Sequence, residues 1–320
     1  TQTPKGWEVA GPYLSEVPRS VKAVVQERLQ RLGTDAQPVL ELAAVIGREF
    51  PLPLLKELAA LGEERLADIM DRCVAAGALR VGTLPRQEVF IFAENQVREV
   101  LYAGVGPTRR RRYHVQVGQT IERLYTRRLE EQYDALAHHF LEGNALDKAA
   151  EYSLKAGERA WETHAWERAI QHYQRALEVL EEVGAPAREL GEVLERQARA
   201  TRLVGRDALP YWERALRLHE GVGDTGKQAE MHFNLGQHYR LFAPLAQVDL
   251  EKARAQYEQA LQLLDGEGDS ALLAEVYRGM SAVVFSADEG VEKATDWARK
   301  SCTVAEKIGD ARAFCLAAHA

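Results

Sequence analysis

The stretch Ala253-Arg-Ala-Gln-Tyr257-Glu-Gln-Ala260 contains the pattern that decides the fold. A small residue is followed four places on by an aromatic residue and three further by another small one. Spacings of i, i+4 and i+7 place all three on one helical face, where small side chains let a neighbouring helix approach closely. The pattern recurs, once with a small central residue, at Ala169/Tyr173/Ala176, Ala208/Trp212/Ala215 and Ala294/Ala298/Ser301. A Gly follows each instance, at positions 184, 223, 268 and 309, and predicts the end of the helix.

The leading residues of these instances are separated by 39, 45 and 41 positions, which is too long for one helix and indicates two helices per unit. First helices are predicted around Ala156-Gly157-Ala160, Leu235-Gly236-Tyr239 and Gly279. The Leu-Gly-x-x-Tyr string, followed by Ala-x-x-x-Tyr-x-x-Ala, resembles the tetratricopeptide repeat. A fifth unit is expected to begin at Ala311 and to be truncated.

The first half of the chain has a different pattern. An amphipathic helix is predicted over 18–32, then three short helices over 35–46, 52–61 and 63–76. Two β-rich runs, 79–81 and 88–92, are separated by Gly82-Thr-Leu-Pro85 and predict a hairpin. The predicted fold class is therefore mainly α: a winged-helix-like domain with a small β-hairpin, followed by an α-solenoid of tetratricopeptide-type helical repeats.

These patterns divide the chain into four segments. They are a linker and amphipathic helix at 1–33, a winged-helix-like domain at 34–106, a helical connector at 107–145 and the tetratricopeptide-type repeats at 146–320.

Composition is that of a globular protein: 320 residues, 46% hydrophobic and 28% charged. The chain has no apolar run of membrane-spanning length and no signal-peptide pattern, and it does not begin with Met, so we expect a cytoplasmic fragment. The cysteines, Cys73, Cys302 and Cys315, have no paired spacing, which favours buried thiols in a reducing compartment over zinc ligation.

Charge is distributed unevenly. Residues 1–143 hold 19 Lys/Arg and 19 Asp/Glu, so the other 22 Lys/Arg and 29 Asp/Glu place the whole net charge of −7 in the second half. An acidic solenoid disfavours nucleic acid, whose binding depends on neutralising phosphates, and favours a protein or small-molecule effector.

Several strings together resemble a known protein family. They are Val17-Pro-Arg-Ser-Val21, Arg28-Leu-Gln-Arg-Leu32, Ala43-Ala-Val-Ile-Gly-Arg-Glu-Phe50, Val97-Arg-Glu-Val-Leu-Tyr102, Arg110-Arg-Arg-Tyr-His114, Ala137-His-His-Phe140 and Lys155-Ala-Gly-Glu-Arg-Ala160. The family is the bacterial signal-transduction ATPases of the STAND class, of the cyclase-associated or large-transcriptional-activator type. The resemblance implies an ATPase core before this region, then a winged helix and a tetratricopeptide sensor.

The resemblance fails at one informative position. Family members commonly have a His two residues after the Phe that ends the wing, and the resemblance implies that it contacts nucleotide phosphates. Glu94 occupies that position here, and a carboxylate would repel phosphate.

The string Gly221-Val-Gly-Asp-Thr-Gly-Lys227-Gln228 resembles a phosphate-binding loop. That loop requires a preceding strand and a hydroxyl residue after the Lys. Here a helix is predicted before it and Gln228 follows the Lys, so we interpret the string as a turn between helices.

DNA binding by the winged helix is disfavoured by charge. Its third helix has Glu63, Glu64, Asp68 and Asp71 against Arg65 and Arg72, a net −2 on the element that would enter the major groove.

No pattern in the sequence predicts catalysis, a cofactor or a metal site. His138 and His139 are adjacent on a predicted helix, point about 100° apart, and have no third ligand at a recognisable spacing, so packing is the expected role.

Two sets of residues are candidate partner-binding positions. On the concave face that first helices of a solenoid provide, the candidates are His232, Asn234, Gln237 and His238. The other set is the basic run Arg109, Arg110, Arg111 and Arg112, at the start of a helix predicted over 107–125. Three interpretations stay open for that run: a solvated first turn of the helix, which we favour, a grip on phosphate of nucleic acid or of a nucleotide on the ATPase core, and contact with an acidic partner surface.

The sequence therefore predicts a non-catalytic regulatory or sensor region that binds a protein or effector through its repeats, with the ATPase core as a further partner. Two alternatives stay open: a sensor for a small ligand such as an oligosaccharide, and a DNA-binding winged helix with repeat-mediated oligomerisation.

Overall fold

The computed structural model describes residues 2–3, 6–7, 32–84, 87–242 and 248–310. These residues fall into two compact units, Thr1–Ala145 and Leu146–Ala320. The predicted helix over 18–32, apart from Leu32, and the predicted fifth repeat from Ala311 lie outside the described residues.

The elements of the first unit follow in chain order. They are β1 (Gln2–Thr3), β2 (Gly6–Trp7), α1 (Ala36–Ile46), β3 (Glu49–Pro51), α2 (Leu52–Ala59), α3 (Glu63–Ala75), β4 (Leu79–Leu84), β5 (Gln87–Phe92), α4 (Asn95–Gly104), α5 (Pro107–Leu124), a 3₁₀ segment (Thr126–Gln132) and α6 (Tyr133–Glu142).

The wing is a three-stranded antiparallel sheet, where the sequence predicted a two-stranded hairpin. The strand order is β3-β5-β4, with Phe50 opposite Phe90 and Leu79 opposite Phe92. Strand β3 has only three residues, too few for a periodic signal, and is specified by its pairing with β5.

The two predicted β-runs also extend further than expected. Gly82, assigned to the turn, lies in β4 opposite Val89. A Cβ at Gly82 would lie 2.9 Å from the Cδ1 atom of Ile91, so glycine here provides the space that Ile91 occupies.

Aromatic side chains fill the space between the sheet and the three helices α1 to α3. The Phe50 ring centroid lies 6.1 Å from that of Phe90 and 5.7 Å from that of Phe92. Leu40, Leu55 and Ile69 close the same core from the helices. The order helix-strand-helix-helix-strand-strand around one core agrees with the predicted mainly α fold with a small β element, and a winged helix stays the predicted description of this unit.

The second unit consists of helix pairs. They are α7 (Leu146–Glu162) with α8 (Trp166–Glu182), α9 (Ala187–Leu203) with α10 (Leu209–Val222), α11 (Thr225–Gln237) with α12 (Leu250–Leu264), and α13 (Ala271–Ser286) with α14 (Val291–Lys307). A π-helical turn, His238–Phe242, continues α11. The predicted α-solenoid of tetratricopeptide-type repeats is confirmed.

Tyrosine rings set the distance between helices in this unit. Tyr257 of α12 is fully buried, and a Cβ added to Gly236 of α11 or Gly279 of α13 would lie only 2.6 or 2.7 Å from its ring. Tyr173 of α8 makes the same contact with Gly157 of α7, at 2.5 Å. Each ring therefore occupies a hollow that only glycine provides.

The second pair departs from this scheme. Its first-helix glycine, Gly191, faces His219 instead of the pattern residue Trp212, and a Cβ added to Gly191 would lie 2.7 Å from the His219 Nε2 atom. Both His219 and Trp212 have no exposed surface. The buried histidine brings a polar group into the repeat core.

The Gly-Asp turns end one helix and begin the next. Gly223 has φ +73°, and the Asp224 side chain accepts a hydrogen bond from the backbone N–H of Lys227 at 3.1 Å. The loop-like string 221–228 therefore spans the last residues of α10, the turn and the first residues of α11, where the sequence predicted a turn between helices.

Cys73 is fully buried and burial raises the pKa of its thiol to about 11, whereas Cys302 is half-buried. Cys315 lies outside the described residues. No helix within the described ranges is long and apolar enough to cross a membrane.

We expect Gly236→Ala to lower the free energy of unfolding by about 1–3 kcal/mol, because the added methyl group collides with the buried Tyr257 ring. Gly221→Ala is the matched control, since it is also helical and a Cβ there meets nothing within 4 Å. That variant should be neutral or more stable by up to about 1 kcal/mol. Urea denaturation of both variants checks this, and equal effects would contradict the packing argument.

Candidate partner-binding site

A recess of about 370 Å³ lies on the first helices of three consecutive pairs. We call it the first-helix groove. It is lined by Arg199 of α9, by Gly226, Glu230, Phe233 and Asn234 of α11, and by Leu272 of α13.

The groove combines an apolar patch with charged and amide groups. Phe233 and Leu272 are half-buried and supply the apolar surface. Arg199 donates a hydrogen bond to Glu230, and Asn234 Nδ2 donates to the backbone carbonyl of Glu230 at 2.9 Å.

A buried charge network beneath the groove fixes Glu230. Glu195 is 4% exposed; one of its oxygens accepts a hydrogen bond from Lys227 Nζ at 2.8 Å, and the other lies 2.9 Å from His219 Nε2. Lys227 Nζ also donates to Glu230 Oε2 at 3.0 Å. The Lys227 ammonium group thus bridges the buried Glu195 carboxylate and the Glu230 carboxylate, which lines the groove.

Lys227 therefore has a structural partner on each side. Burial acts to lower the pKa of its ammonium, but the hydrogen bonds to Glu195 and Glu230 outweigh burial, and the net pKa is raised. A phosphate approaching Lys227 would have to displace two carboxylates. This geometry agrees with the interpretation of Gly221–Gln228 as a helix-connecting turn.

The structure separates the four predicted first-helix residues. Only Asn234 lines the first-helix groove, while His232 Nδ1 lies 2.7 Å from Oε1 of Gln256 on α12. Gln237 and His238 are only 6% and 5% exposed, and His238 Nε2 lies 3.5 Å from Oδ1 of Asp207.

Asn234, Gln237 and His238 are buried and offer a partner little surface, and partner binding by the four predicted residues stays a prediction. Helix α11 packs against α10, α12 and α13, so only a narrow stripe of it faces solvent. The first-helix groove also contains Glu230 and Phe233 of the same helix, which lie on that stripe and which the sequence did not predict as partner-binding residues. The sequence signal that could have identified them is their spacing of i and i+3, which places a charged and an aromatic residue on one helical face.

The four arginines at the start of α5 also differ in their contacts. Arg109 is 3.4 Å from Glu41 Oε2, and Arg110 donates to the Val105 carbonyl at 3.0 Å and stacks 4.3 Å above the Tyr102 ring. Arg111 and Arg112 are exposed. Arg109 and Arg110 are therefore held by contacts within this unit, and the exposed Arg112 lies 5.8 Å from the centroid of the Tyr113 ring.

Three histidines, His114, His138 and His139, lie together between α5 and α6. The sequence alone showed no third metal ligand for the His138-His139 pair. His114 Nδ1 lies 2.9 Å from His139 Nδ1, and the His138 centroid lies 5.7 Å from that of His114 and 5.3 Å from that of His139. His114 belongs to the preceding helix, far from the pair in sequence. Only the packing of α5 against α6 reveals it.

Two of these rings are buried and neutral. Burial, together with neighbouring positive charge, lowers the pKa of His114 and of His139 to about 3 each. His114 Nε2 lies 3.0 Å from the Tyr102 hydroxyl, and the backbone of Ile46 forms a hydrogen bond with the His139 ring. His138 is exposed at the edge of the group.

Two charged side chains of the acidic third helix α3, Arg72 and Glu63, are paired within the first unit. Arg72 donates to the Leu32 carbonyl and to Asp35 Oδ2, both at 2.8 Å, and Lys56 Nζ lies 2.6 Å from Glu63. Glu94 is exposed at the residue preceding α4. Neither observation provides a cationic surface for phosphate.

No family model and no curated protein matches the chain. Solved structures with a similar fold include aspartyl phosphate phosphatase F from Bacillus subtilis, with 13% identity over 92% of this chain and 76% of that chain, TM-score 0.49. A second is BtubC (BKLC) from P. vanneervenii, with 16% identity over 64% of this chain and 93% of that one, TM-score 0.46.

A third is the STAND protein with a tetratricopeptide repeat sensor, PH0952, from Pyrococcus horikoshii. It is 15% identical over 92% of this chain, with a TM-score of 0.43, and this chain spans 54% of its length. Likenesses at this level do not show membership of any of these families.

We expect Lys227→Met to lower the free energy of unfolding by about 1–3 kcal/mol, because it leaves the buried Glu195 carboxylate without its cation. Lys155→Met is the control, since Lys155 forms an exposed pair with Glu151 on one helix and should cost no more than about 0.5 kcal/mol. Urea denaturation measures both.

The pH dependence of the Lys227→Met effect follows from the raised pKa. Because the pKa of Lys227 is higher in the folded than in the unfolded state, its charged form stabilises the fold. This stabilisation is complete below the usual lysine pKa of 10.5 and disappears as the pH rises through the pKa of the folded state. The difference between wild type and Lys227→Met should therefore be constant at neutral pH and shrink above pH 10.5. A difference that grows with pH would exclude the ion network as its cause.

Proposed function

We propose that this chain is a non-catalytic regulatory region whose tetratricopeptide-type repeats bind a protein effector. The bound element is an extended peptide segment lying along the first-helix groove. The sequence strings that resemble STAND-class signal-transduction ATPases support a role in regulating a nucleotide-binding core. The observation that carries the proposal is the groove itself.

The chemistry of the groove suits a peptide. Phe233 and Leu272 can bury an apolar side chain, and the Asn234 amide can accept from a backbone N–H. Arg199 and Glu230 flank this patch: the positively charged Arg199 is a hydrogen-bond donor, and the negatively charged Glu230 is an acceptor. A surface of this kind recognises an amphipathic segment with polar groups on both sides of one apolar residue.

The network beneath makes the groove pre-organised. Glu230 is held by Arg199 and Lys227 at once, and Lys227 is held by the buried Glu195. A groove whose side chains are already ordered loses little conformational entropy on binding. Recognition is therefore expected without refolding of the repeats.

Selection of a displayed library of short random peptides against the full chain, followed by fluorescence anisotropy of the recovered peptides, tests the proposal. Arg199→Gln and Leu272→Gln should each weaken binding about fivefold, the effect of losing a contact worth about 1 kcal/mol.

Two control variants match these changes outside the groove. Arg217→Gln removes an exposed guanidinium from the second helix α10, and Leu203→Gln changes a 49% exposed leucine at the end of α9. Both should bind the selected peptides as wild type does. If the controls weaken binding as much as the groove variants, or if no peptide is enriched, the proposed site is wrong.

A further inference from the structure

The three-histidine group between α5 and α6 has the composition and spacing of a metal site. His114, His138 and His139 each offer one ring nitrogen, and these atoms all lie within 4.8 Å of one another. In tetrahedral zinc coordination, with Zn–N bonds of about 2.0–2.1 Å, two nitrogen ligands lie about 3.3 Å apart. Small side-chain rotations would bring the three nitrogens to that spacing.

The rings need unequal movements to reach that geometry. His114 Nδ1 and His139 Nδ1, at 2.9 Å, have only to separate slightly. His138 has to approach them, and it is the exposed member of the group, so its rotation meets the least resistance. The two buried rings therefore form a fixed pair and the third can close on the ion.

The outer contacts of the group are those that orient metal-binding imidazoles. A ligating histidine usually donates its other ring N–H to a carbonyl or another oxygen acceptor. The Ile46 backbone bonds to the His139 ring, and the Tyr102 hydroxyl lies 3.0 Å from His114 Nε2. With its proton on Nε2, donating to Tyr102, His114 presents the Nδ1 lone pair toward His139.

The surroundings also limit the affinity. Arg98 and Arg110 lie over the Tyr102 ring, at 5.5 and 4.3 Å, and their charge opposes a bound cation. The same charge favours an anion as the fourth ligand of a metal held by three neutral imidazoles. Imidazole nitrogens prefer zinc, copper and nickel over magnesium or calcium.

We propose that His114, His138 and His139 bind one divalent transition-metal ion of the zinc type between α5 and α6, with its fourth position open to an anion or water. The site would clamp the two helices together and so stabilise the first unit. This site does not depend on the peptide-binding proposal, because its residues belong to other helices than the first-helix groove.

The test is titration of the untagged full chain with zinc chloride, in competition with a chromophoric chelator. Wild type should bind one equivalent and show a higher thermal midpoint with zinc. Loss of a residue that merely orients a ligand typically costs about 10–100-fold in metal affinity, so losing a ligand in His138→Gln should cost at least about tenfold. His138 is exposed, so this variant is expected to fold.

His164→Asn is the matched control, because His164 is an exposed histidine in the second unit and its φ of +61° suits asparagine. It should retain the wild-type zinc affinity. Cobalt provides an independent readout: a tetrahedral visible absorption band should form with wild type and be lost in His138→Gln.

Other outcomes would overturn the proposal. Absence of stoichiometric zinc binding by wild type would show that the three rings are only a hydrogen-bonded packing group. Equal losses in His138→Gln and His164→Asn would show scattered surface binding. A destabilised His139→Gln variant whose zinc affinity is unchanged would show that the His139 ring acts in packing alone.

Discussion

The contact of a buried tyrosine ring with a glycine on the facing helix sets the geometry of the repeat unit. Tyr257 lies between Gly236 and Gly279, so one ring fixes the distances of α12 from both α11 and α13. Because side chains on a helix have fixed angular positions, these distances also decide which first-helix residues stay exposed. The first-helix groove follows from this packing, in which two of its own residues take part, since Phe233 and Leu272 pack against the cluster that contains Tyr257.

The second helix pair shows how the same hollow can hold a polar group. Gly191 accommodates His219, and a buried imidazole needs a hydrogen-bond partner, which Glu195 provides. A buried carboxylate in turn needs a cation, and Lys227 supplies it. The histidine that packs on Gly191 is thus linked to Glu230 in the first-helix groove. The link runs through the side chains of His219, Glu195 and Lys227.

Sequence patterns predicted the parts of this structure that depend on helical periodicity. The small-aromatic-small faces and the Gly-ended helices follow from spacing along one helix, and the fold class was correct. Burial of Gln237 and His238 was not predictable, because it depends on three neighbouring helices at once. The short strand Glu49–Pro51 and the pairing of His114 with His139 likewise arise from contacts between separate elements.

The charge network beneath the first-helix groove and the histidine group between α5 and α6 differ in what they can still bind. In the Glu195-Lys227-Glu230 network, completed by Arg199, two cations face two carboxylates, so an added ion would have to replace a contact already made. The neutral His114 and His139 rings are joined by a hydrogen bond between their Nδ1 atoms. One of these two nitrogens must therefore carry the proton and donate it to the other. A metal ion in place of that proton would accept a lone pair from each of the two Nδ1 atoms, so the histidine group, rather than the charged network, has donor atoms suited to an ion.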